Sequence, residues 1–405
     1  MVNVIGLGYI GLPTALMLAS HGVAVVGTNH SRSKIDTLRA GKTTFQEEGL
    51  DALFQAALEG GIVFQTECAV ADTYIISVQT PYDPVTKKVD MQYVNAAVGD
   101  VLKVAPKGAV IVIESTISPG AIDRYVRPFI AEHGFVVGED VHLAHAPERI
   151  IPGNMIYELT HNNRTVGADS PEIAERVARL YASFCDGEIV RTDIRTAEMT
   201  KVVENTFRAV NIAFANELAK ICRRDGLDVH EVRRICNMHP RVNILSPGPG
   251  VGGHCIPVDP WFLVGDYPDL TKVIEASLRV NASMPEYVLE RIRAIMAERG
   301  ITDSARVGLY GLTFKENVDD MRDSPALQLL ALEPAFTGRM QVYDPYVVRD
   351  VGAQRHETLA SFLEACDLVV ILVKHDEIRG HMDDLRGKTV LDCHNICPLP
   401  GTYRL

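Results

Sequence analysis

Short apolar runs alternate with stretches of helical periodicity along the first part of the chain. Val2-Asn3-Val4-Ile5 predicts a strand running into a glycine turn. Gly11 to His21 predicts a helix, because Leu12, Ala15, Leu16, Leu18 and Ala19 make one broad apolar face. Val23–Gly27, Ile62–Phe64, Thr73–Val78, Ala109–Ile113 and Val141–Ala144 are the next predicted strands. Strands alternating with helical segments predict a parallel, doubly wound sheet. From Thr192 to Arg224 the pattern changes to one helical run without Pro or Gly. A helix of that size spans about 45 Å, more than one small domain needs. It predicts a connector between domains that also supplies a subunit interface.

Two more helices are expected over Val229–Met238 and Tyr287–Glu298. The pattern then resets at Ala305–Leu312, again a strand entering a glycine turn. A helix over Ala326–Leu332 and strands over Met340–Asp344, Leu368–Val373 and Thr389–Asp392 follow. This predicts a second sheet of similar winding without a second dinucleotide fingerprint. The expected class is α/β: two Rossmann-like doubly wound domains, residues 1–191 and 301–405, joined by a long central helix and a helical middle domain, residues 192–300.

The fingerprint of the first domain is Gly6, Gly8 and Gly11, with Tyr9 and Ile10 between them. Gly6 allows the tight turn, Gly8 lets backbone approach a pyrophosphate, and Gly11 permits close helix packing. The helix N-terminus then offers N–H donors to phosphate. After the second strand, Asn29 stands where an acidic residue usually holds the ribose hydroxyls. An amide still hydrogen-bonds ribose but does not repel a 2′-phosphate, and Ser31, Arg32 and Lys34 lie nearby. NAD is expected ahead of NADP.

With 405 residues the chain has room for two or three domains. A net charge of −12 argues against bulk attraction to nucleic acid, so an anionic substrate needs locally placed Lys and Arg. No apolar run approaches the ~20 residues that span a bilayer, and the N-terminus lacks the pattern of a secretory signal. Eight cysteines scattered singly read as reduced thiols in the cytoplasm. Cys393-His394-Asn395-Ile396-Cys397 lacks a second ligand pair, and no metal is expected.

One cysteine differs from the rest. Cys255 sits in Gly248-Pro249-Gly250-Val251-Gly252-Gly253-His254-Cys255-Ile256-Pro257-Val258-Asp259, a turn crowded with glycine and proline. A nicotinamide accepts hydride, and a thiolate can hold an aldehyde covalently. Together they point to an alcohol oxidised past the aldehyde to the acid. His254 is a candidate substrate contact.

These residues resemble the UDP-glucose/UDP-mannuronic-acid dehydrogenase family over essentially the whole chain. The resemblance rests on Gly6–Gly11, Glu114-Ser115-Thr116, Pro147-Glu148-Arg149, Thr200-Lys201 through Asn205, the Gly248–Asp259 loop, and Phe314-Lys315 through Pro325. It implies a homodimer or higher homo-oligomer that oxidises the C6 hydroxyl of a nucleotide sugar twice, with NAD, to make precursors of cell-surface polysaccharide. It implies Cys255 as nucleophile, and Lys201 with Asn205 as oxyanion stabiliser, acid/base and substrate contact. Asp259 would orient a water or the lysine, Thr116 would hold a water beside the cofactor, and Glu148 would assist thioester hydrolysis. Thr80, Lys34 and Arg322 fall to the cofactor. Glu148, Arg149, Gly252, His254 and Lys315 fall to the UDP-sugar, and Arg241 to a neighbouring subunit's sugar site. The stretch Ala146–Asn154 followed by Tyr157-Glu158-Leu159 is similar to the branch acting on UDP-N-acetylhexosamines, with UDP-N-acetyl-D-mannosamine ahead of UDP-N-acetylglucosamine and UDP-glucose. His254 departs from the UDP-glucose pattern, and Gln79, before Thr80-Pro81, replaces a proline frequent in the family. A two-electron hydroxyacid-type dehydrogenase and a non-enzymatic nucleotide-binding protein are the competing readings.

Overall fold

The first predicted strand, β1 (Val2–Ile5), lies in the middle of an eight-stranded sheet. Its companions are β2 (Val25–Thr28), β3 (Val63–Gln65), β4 (Thr73–Ile76), β5 (Ala109–Ile113), β6 (Val141–His145), β7 (Arg164–Ala168) and β8 (Ile189–Thr192). The spatial order is β3-β2-β1-β4-β5-β6-β7-β8. β1 to β6 are parallel, whereas β7 pairs antiparallel to β6 and β8 follows β7, so the last two strands run the other way. Neither was legible beforehand: β7 begins with Arg164, and β8 is an edge strand with exposed Val190 and Arg191. A second sheet, β11-β10-β9-β12-β13-β14, is parallel throughout. Its strands are β9 (Val307–Tyr310), β10 (Gln341–Tyr343), β11 (Gln354–Arg355), β12 (Leu368–Ile371), β13 (Thr389–Asp392) and β14 (Tyr403–Arg404).

The computed structural model describes Met1–Leu405 and divides into two units. Met1–Glu204 and Trp261–Pro268 form the first, and Asn205–Pro260 with Asp269–Leu405 the second. In the first, the apolar face of the Gly11–Ser20 helix covers the sheet, with Leu12, Leu16 and Leu18 wholly buried. Each such side chain contributes roughly 1.5–3 kcal/mol. In the second, Leu309, Val370 and Leu391 are packed beneath the Met284–Arg299 helix residues Val288, Ile292 and Ile295.

The long helix runs from Ile194 to Arg224, 31 residues. Its last turn carries Arg223 and Arg224, which complement the helix dipole. Gly226 then takes φ +72°, and the Leu227 N–H reaches back 2.7 Å to the Cys222 carbonyl. This closing bond requires a left-handed residue, which glycine adopts without strain. No helix of the chain is long and apolar enough to cross a membrane.

In both sheets the strand order reverses beside the first strand, between β1 and β4 and between β9 and β12. Ligands of open α/β sheets bind in the crevice at such a switch point, outside the carboxyl ends of the strands. A glycine of positive φ ends each first strand, Gly6 (+94°) and Gly311 (+91°). A Cβ on Gly6 would lie 2.4 Å from the Ser77 carbonyl, and one on Gly311 2.5 Å from Val373 Cβ.

Candidate functional site

The dinucleotide fingerprint takes the shape its residues dictate. A Cβ on Gly11 would stand 2.0 Å from the Gly6 carbonyl, so helix and turn touch backbone to backbone. A Cβ on Gly8 would meet nothing within 4 Å, leaving open space above that peptide. The helix that follows has no side-chain cap at Ile10, its Leu12 N–H is taken by the Gly8 carbonyl at 3.1 Å and Pro13 has none, so what it turns to that space is the positive end of its dipole. This geometry fits a dinucleotide pyrophosphate. Tyr9 packs on Phe45 with ring centroids 4.4 Å apart. Asn29 follows β2, and its side-chain oxygen accepts the Ser31 N–H at 2.9 Å. Ser31 in turn caps the Arg32–Arg39 helix that carries Lys34 in its first turn. Thr80 and Thr116 are brought together, the Thr80 hydroxyl donating to the Thr116 carbonyl at 2.6 Å.

Behind the ends of β5 and β6 lies a buried polar network, of which residue order reveals only Glu114, Glu148 and Arg149. Glu148 accepts the Arg149 N–H at 2.6 Å and pairs with Arg164, and both acidic and basic side chains are almost wholly buried. The Arg164 guanidinium lies 4.5 Å over the Tyr181 ring. Glu114, also buried, accepts from the Tyr181 hydroxyl at 3.0 Å and the Thr14 hydroxyl at 3.2 Å. Burial, then the charge of Glu148, push the Glu114 carboxyl up to about 7. Arg149 is drawn elsewhere, to Glu204 (2.5 Å) and the Asn163 carbonyl (2.6 Å). Only a charge ending an apolar strand, as Glu114 ends Ala109–Ile113, could have hinted at this cluster.

Lys201 is buried on the central helix, and Glu198 lies one turn before it. Glu198 accepts the N–H groups of Gly120 and Ile122, the latter at 2.9 Å, and thereby closes the turn after Thr116. Burial pushes its carboxyl up to about 7 against the pull of those two N–H groups. Between its ordinary 4.5 and that value the folded chain keeps a proton that the unfolded chain releases. The resulting stabilisation is complete below the lower value and lost as pH rises through the upper one. Glu198→Gln, which cannot ionise, is therefore expected to be most destabilising at pH ~5 and least at pH ~8. Urea midpoints of variant and wild type at the two pH values measure the difference. The difference is the readout because buried His145, pushed down to about 4, has the opposite slope. A pH-independent difference would refute this account of Glu198.

In the second unit the cysteine loop lies against the Phe314–Pro325 loop. A Cβ on Gly252 would sit 2.6 Å from the Asp323 carbonyl and 2.7 Å from Phe314 Cβ. The Gly253 N–H donates to the Arg322 carbonyl at 2.8 Å, and Gly253 takes φ +82°. Gly252, His254, Lys315 and Arg322 thus belong to two loops in contact. Arg322 forks onto Asp320, both Nε contacts at 2.9 Å. Partial desolvation and the charge of Arg322 push the His254 imidazole down, which favours its uncharged form. Cys255 is the exposed member of the eight cysteines, none of which is in a disulfide. Its carbonyl receives the N–H of Asp259 at 2.8 Å, which starts the Asp259–Asp266 helix. The Asp259 carboxylate is held at 2.6 Å by the Asn205 amide, and both are buried. Thiol and carboxylate are thereby placed on one turn. Arg241 stands apart, exposed in the loop after the Val229–Cys236 helix. Cys393 and Cys397 are buried at the end of β13, and His394 is bonded to the Leu372 carbonyl.

Comparison with known proteins agrees along the whole chain. Family models match the NAD binding domain (residues 1–185), the central domain (195–283) and the UDP binding domain (308–398) of the UDP-glucose/GDP-mannose dehydrogenase family. The chain belongs to the UDP-glucose/GDP-mannose dehydrogenase family. It is an NAD-dependent oxidoreductase of this family, with NAD as its cofactor. An NDP-N-acetyl-D-galactosaminuronic acid dehydrogenase of Ralstonia nicotianae is 40% identical over 96% of this chain and 95% of its own. A UDP-N-acetyl-D-mannosamine dehydrogenase of Escherichia coli is 38% identical over 98% of each. Among solved structures, a UDP-D-ManNAc dehydrogenase from Pyrococcus horikoshii superposes with a TM-score of 0.91 at 35% identity, covering 100% of this chain and 98% of that one. The family's UDP binding domain coincides with the second parallel sheet, and its NAD binding domain contains the Gly6–Gly11 turn.

Proposed function

We propose that the protein oxidises C6 of UDP-N-acetyl-D-mannosamine from alcohol to carboxylate in two steps, through covalent bonds to Cys255. The observation that carries this reading is the turn itself: an exposed thiol, preceded by glycines that admit no side chain, four residues ahead of a buried Asp259 clamped by Asn205. Bound NAD supplies the hydride acceptor. The substrate hydroxyl gives up its proton as the first hydride leaves, producing an aldehyde. The Cys255 thiolate adds to that carbon to give a thiohemiacetal. Loss of a second hydride and the hydroxyl proton gives a thioester. Water attacks the thioester, the C–S bond breaks, and carboxylate and thiol are released. The sum is one alcohol, one water and two NAD+ converted to one carboxylate, two NADH and three protons.

In this reading Lys201 and Asn205 stabilise the oxyanion of each tetrahedral stage. Asp259 fixes the hydrogen-bonding partner on that side, and Glu148 with Thr116 orients the hydrolytic water. The names of full-length relatives support the N-acetylmannosamine sugar, and the R. nicotianae relative favours N-acetylgalactosamine as the second reading. NADH release and product mass over UDP-N-acetylmannosamine, UDP-N-acetylgalactosamine, UDP-N-acetylglucosamine and UDP-glucose decide between them. The expected result is two NADH and one uronate per UDP-N-acetylmannosamine. One NADH per product would overturn the covalent route, and turnover of another sugar alone would overturn the substrate.

The same reading includes a homo-oligomer in the cytoplasm, where unlinked thiols stay reduced. Its support is a stripe on the central helix, where Phe207, Phe214 and Ile221 recur every seven residues and are 64%, 50% and 55% exposed. Apolar side chains in such register are the mark of a helix that packs on another. Arg241 then reaches the sugar site of the neighbouring subunit.

A further inference from the structure

The loop that follows β9 carries Lys315 at the switch point of the second sheet, inside the family's UDP binding domain. Residues 312–324 contain no helix or strand. What holds the first part of this loop is a buried polar pair from two other strand ends. Asp344, just after β10, is 4% exposed, and His375, beyond β12, is wholly buried. One oxygen of Asp344 accepts the Leu312 N–H at 2.6 Å and the Thr313 N–H at 3.3 Å. His375 Nδ1 lies 2.9 Å from the Asn317 nitrogen and accepts its N–H. That nitrogen therefore bears no proton, which places the ring proton on Nε2, 3.1 Å from Asp344 Oδ2, as donor. Between the two anchors the Thr313 hydroxyl donates to the Lys315 carbonyl at 2.8 Å. Asn317, at φ +59°, is fixed further by Asp376, whose N–H it accepts at 3.0 Å and whose carboxylate it bonds at 2.8 Å.

The backbone is thus anchored before Lys315 at Leu312 and Thr313 and after it at the Lys315 carbonyl and Asn317, while the Lys315 side chain remains half-exposed. A buried Asp–His pair is an expensive way to fill a core, since apolar groups of like volume serve stability as well or better. A pair that holds a loop in one conformation before a ligand arrives removes the ordering cost from binding. We propose that Asp344 and His375 form a positioning latch that presets the Lys315 loop to receive the diphosphate of the UDP-sugar. The latch rests on the reading of Lys315 as a substrate-binding residue. Neither latch residue touches the substrate; both act through the backbone that aims the ammonium.

The test uses the full-length enzyme with UDP as probe, so it does not depend on which sugar is oxidised. In His375→Gln the side-chain amide can still donate to Asp344, but the acceptor for the Asn317 N–H is lost. In His375→Asn the side-chain oxygen stays near the Nδ1 position and keeps that acceptor. Calorimetry is expected to show UDP affinity ~10-fold weaker in His375→Gln, a smaller loss in His375→Asn, and NAD affinity unchanged. Amide hydrogen exchange should quicken over residues 312–318 in the Gln variant. Lys315→Ala should weaken UDP to a similar degree, and the Lys315→Ala/His375→Gln double variant should be no worse than Lys315→Ala. Unchanged UDP affinity in His375→Gln, with Lys315→Ala impaired, overturns the latch. Unchanged affinity in Lys315→Ala overturns the substrate role of the lysine, and the latch with it. Should the Gln variant not fold, Asp344→Asn, which keeps one acceptor oxygen, is read in the same way.

Discussion

Serine in place of Cys255 is expected to lower formation of the uronate by about 10³-fold or more, the scale on which loss of a nucleophile acts. The sulfur has two tasks in the proposed route, and oxygen fails at both. A serine hydroxyl at neutral pH is far less ionised than a thiol, so addition to the aldehyde is slow. The aldehyde then leaves or is hydrated before a second hydride is removed. The geometry makes the exchange a clean one, because Cys255 is exposed and its own carbonyl, which no side-chain substitution alters, receives the Asp259 N–H. Replacing buried Cys366, whose thiol burial pushes up to about 12, should leave the rate unchanged. NADH yield per sugar and the mass of the product measure the effect. A Cys255→Ser enzyme yielding two NADH per sugar at the parent rate would refute covalent capture.

Arg164→Met is expected to destabilise the first unit by about 3–5 kcal/mol, the usual consequence of removing one partner of a buried ion pair. Arg164 pairs with Glu148, lies over Tyr181 and Phe184 at 4.5 and 5.2 Å, and its charge also acts on buried Glu114. Methionine preserves much of the packing but leaves two carboxylates in the interior without a positive charge. Glu114, already pushed up to about 7, is then favoured still more strongly in its protonated form. The folded chain binds more protons than the unfolded one in that range, so the defect should widen as pH rises from ~5 to ~8. Urea midpoints at the two pH values, followed by a probe in the first unit, measure it. The double variant Arg164→Met/Glu148→Gln should recover part of the loss, because one uncompensated charge is gone. Equal midpoints for Arg164→Met and wild type would show that the pair is immaterial to stability.

Several features were readable from residue order because local chemistry dictates them. The glycines at 6 and 11 are demanded by contacts of 2.4 and 2.0 Å that any side chain would violate. The central helix was expected over 192–224 and is found over 194–224, since an unbroken stretch without Pro or Gly has few other options. The glycines before Cys255 likewise announced a turn rather than a core thiol. Other features were hidden. β7 and β8 are short and carry arginine, and their pairing with β6 depends on the neighbour rather than on their own pattern. The roles of Glu198, Arg164 and His375 were not visible, because their partners lie 76, 16 and 58 positions away along the chain.

What residue order determined, then, was whatever acts over a few neighbouring peptides or through periodicity: the glycine turns, the strand–helix alternation, the long helix and the reactive-cysteine loop. Tertiary structure alone decided which polar groups are buried and what each faces. Burial turns an ordinary Glu114 into a carboxyl that holds its proton near neutrality, and folding brings His375 Nδ1 to the N–H of Asn317, 58 positions away. The physical reason is that desolvation and hydrogen bonding depend on separation in space, and folding sets that separation among residues that composition and spacing leave far apart.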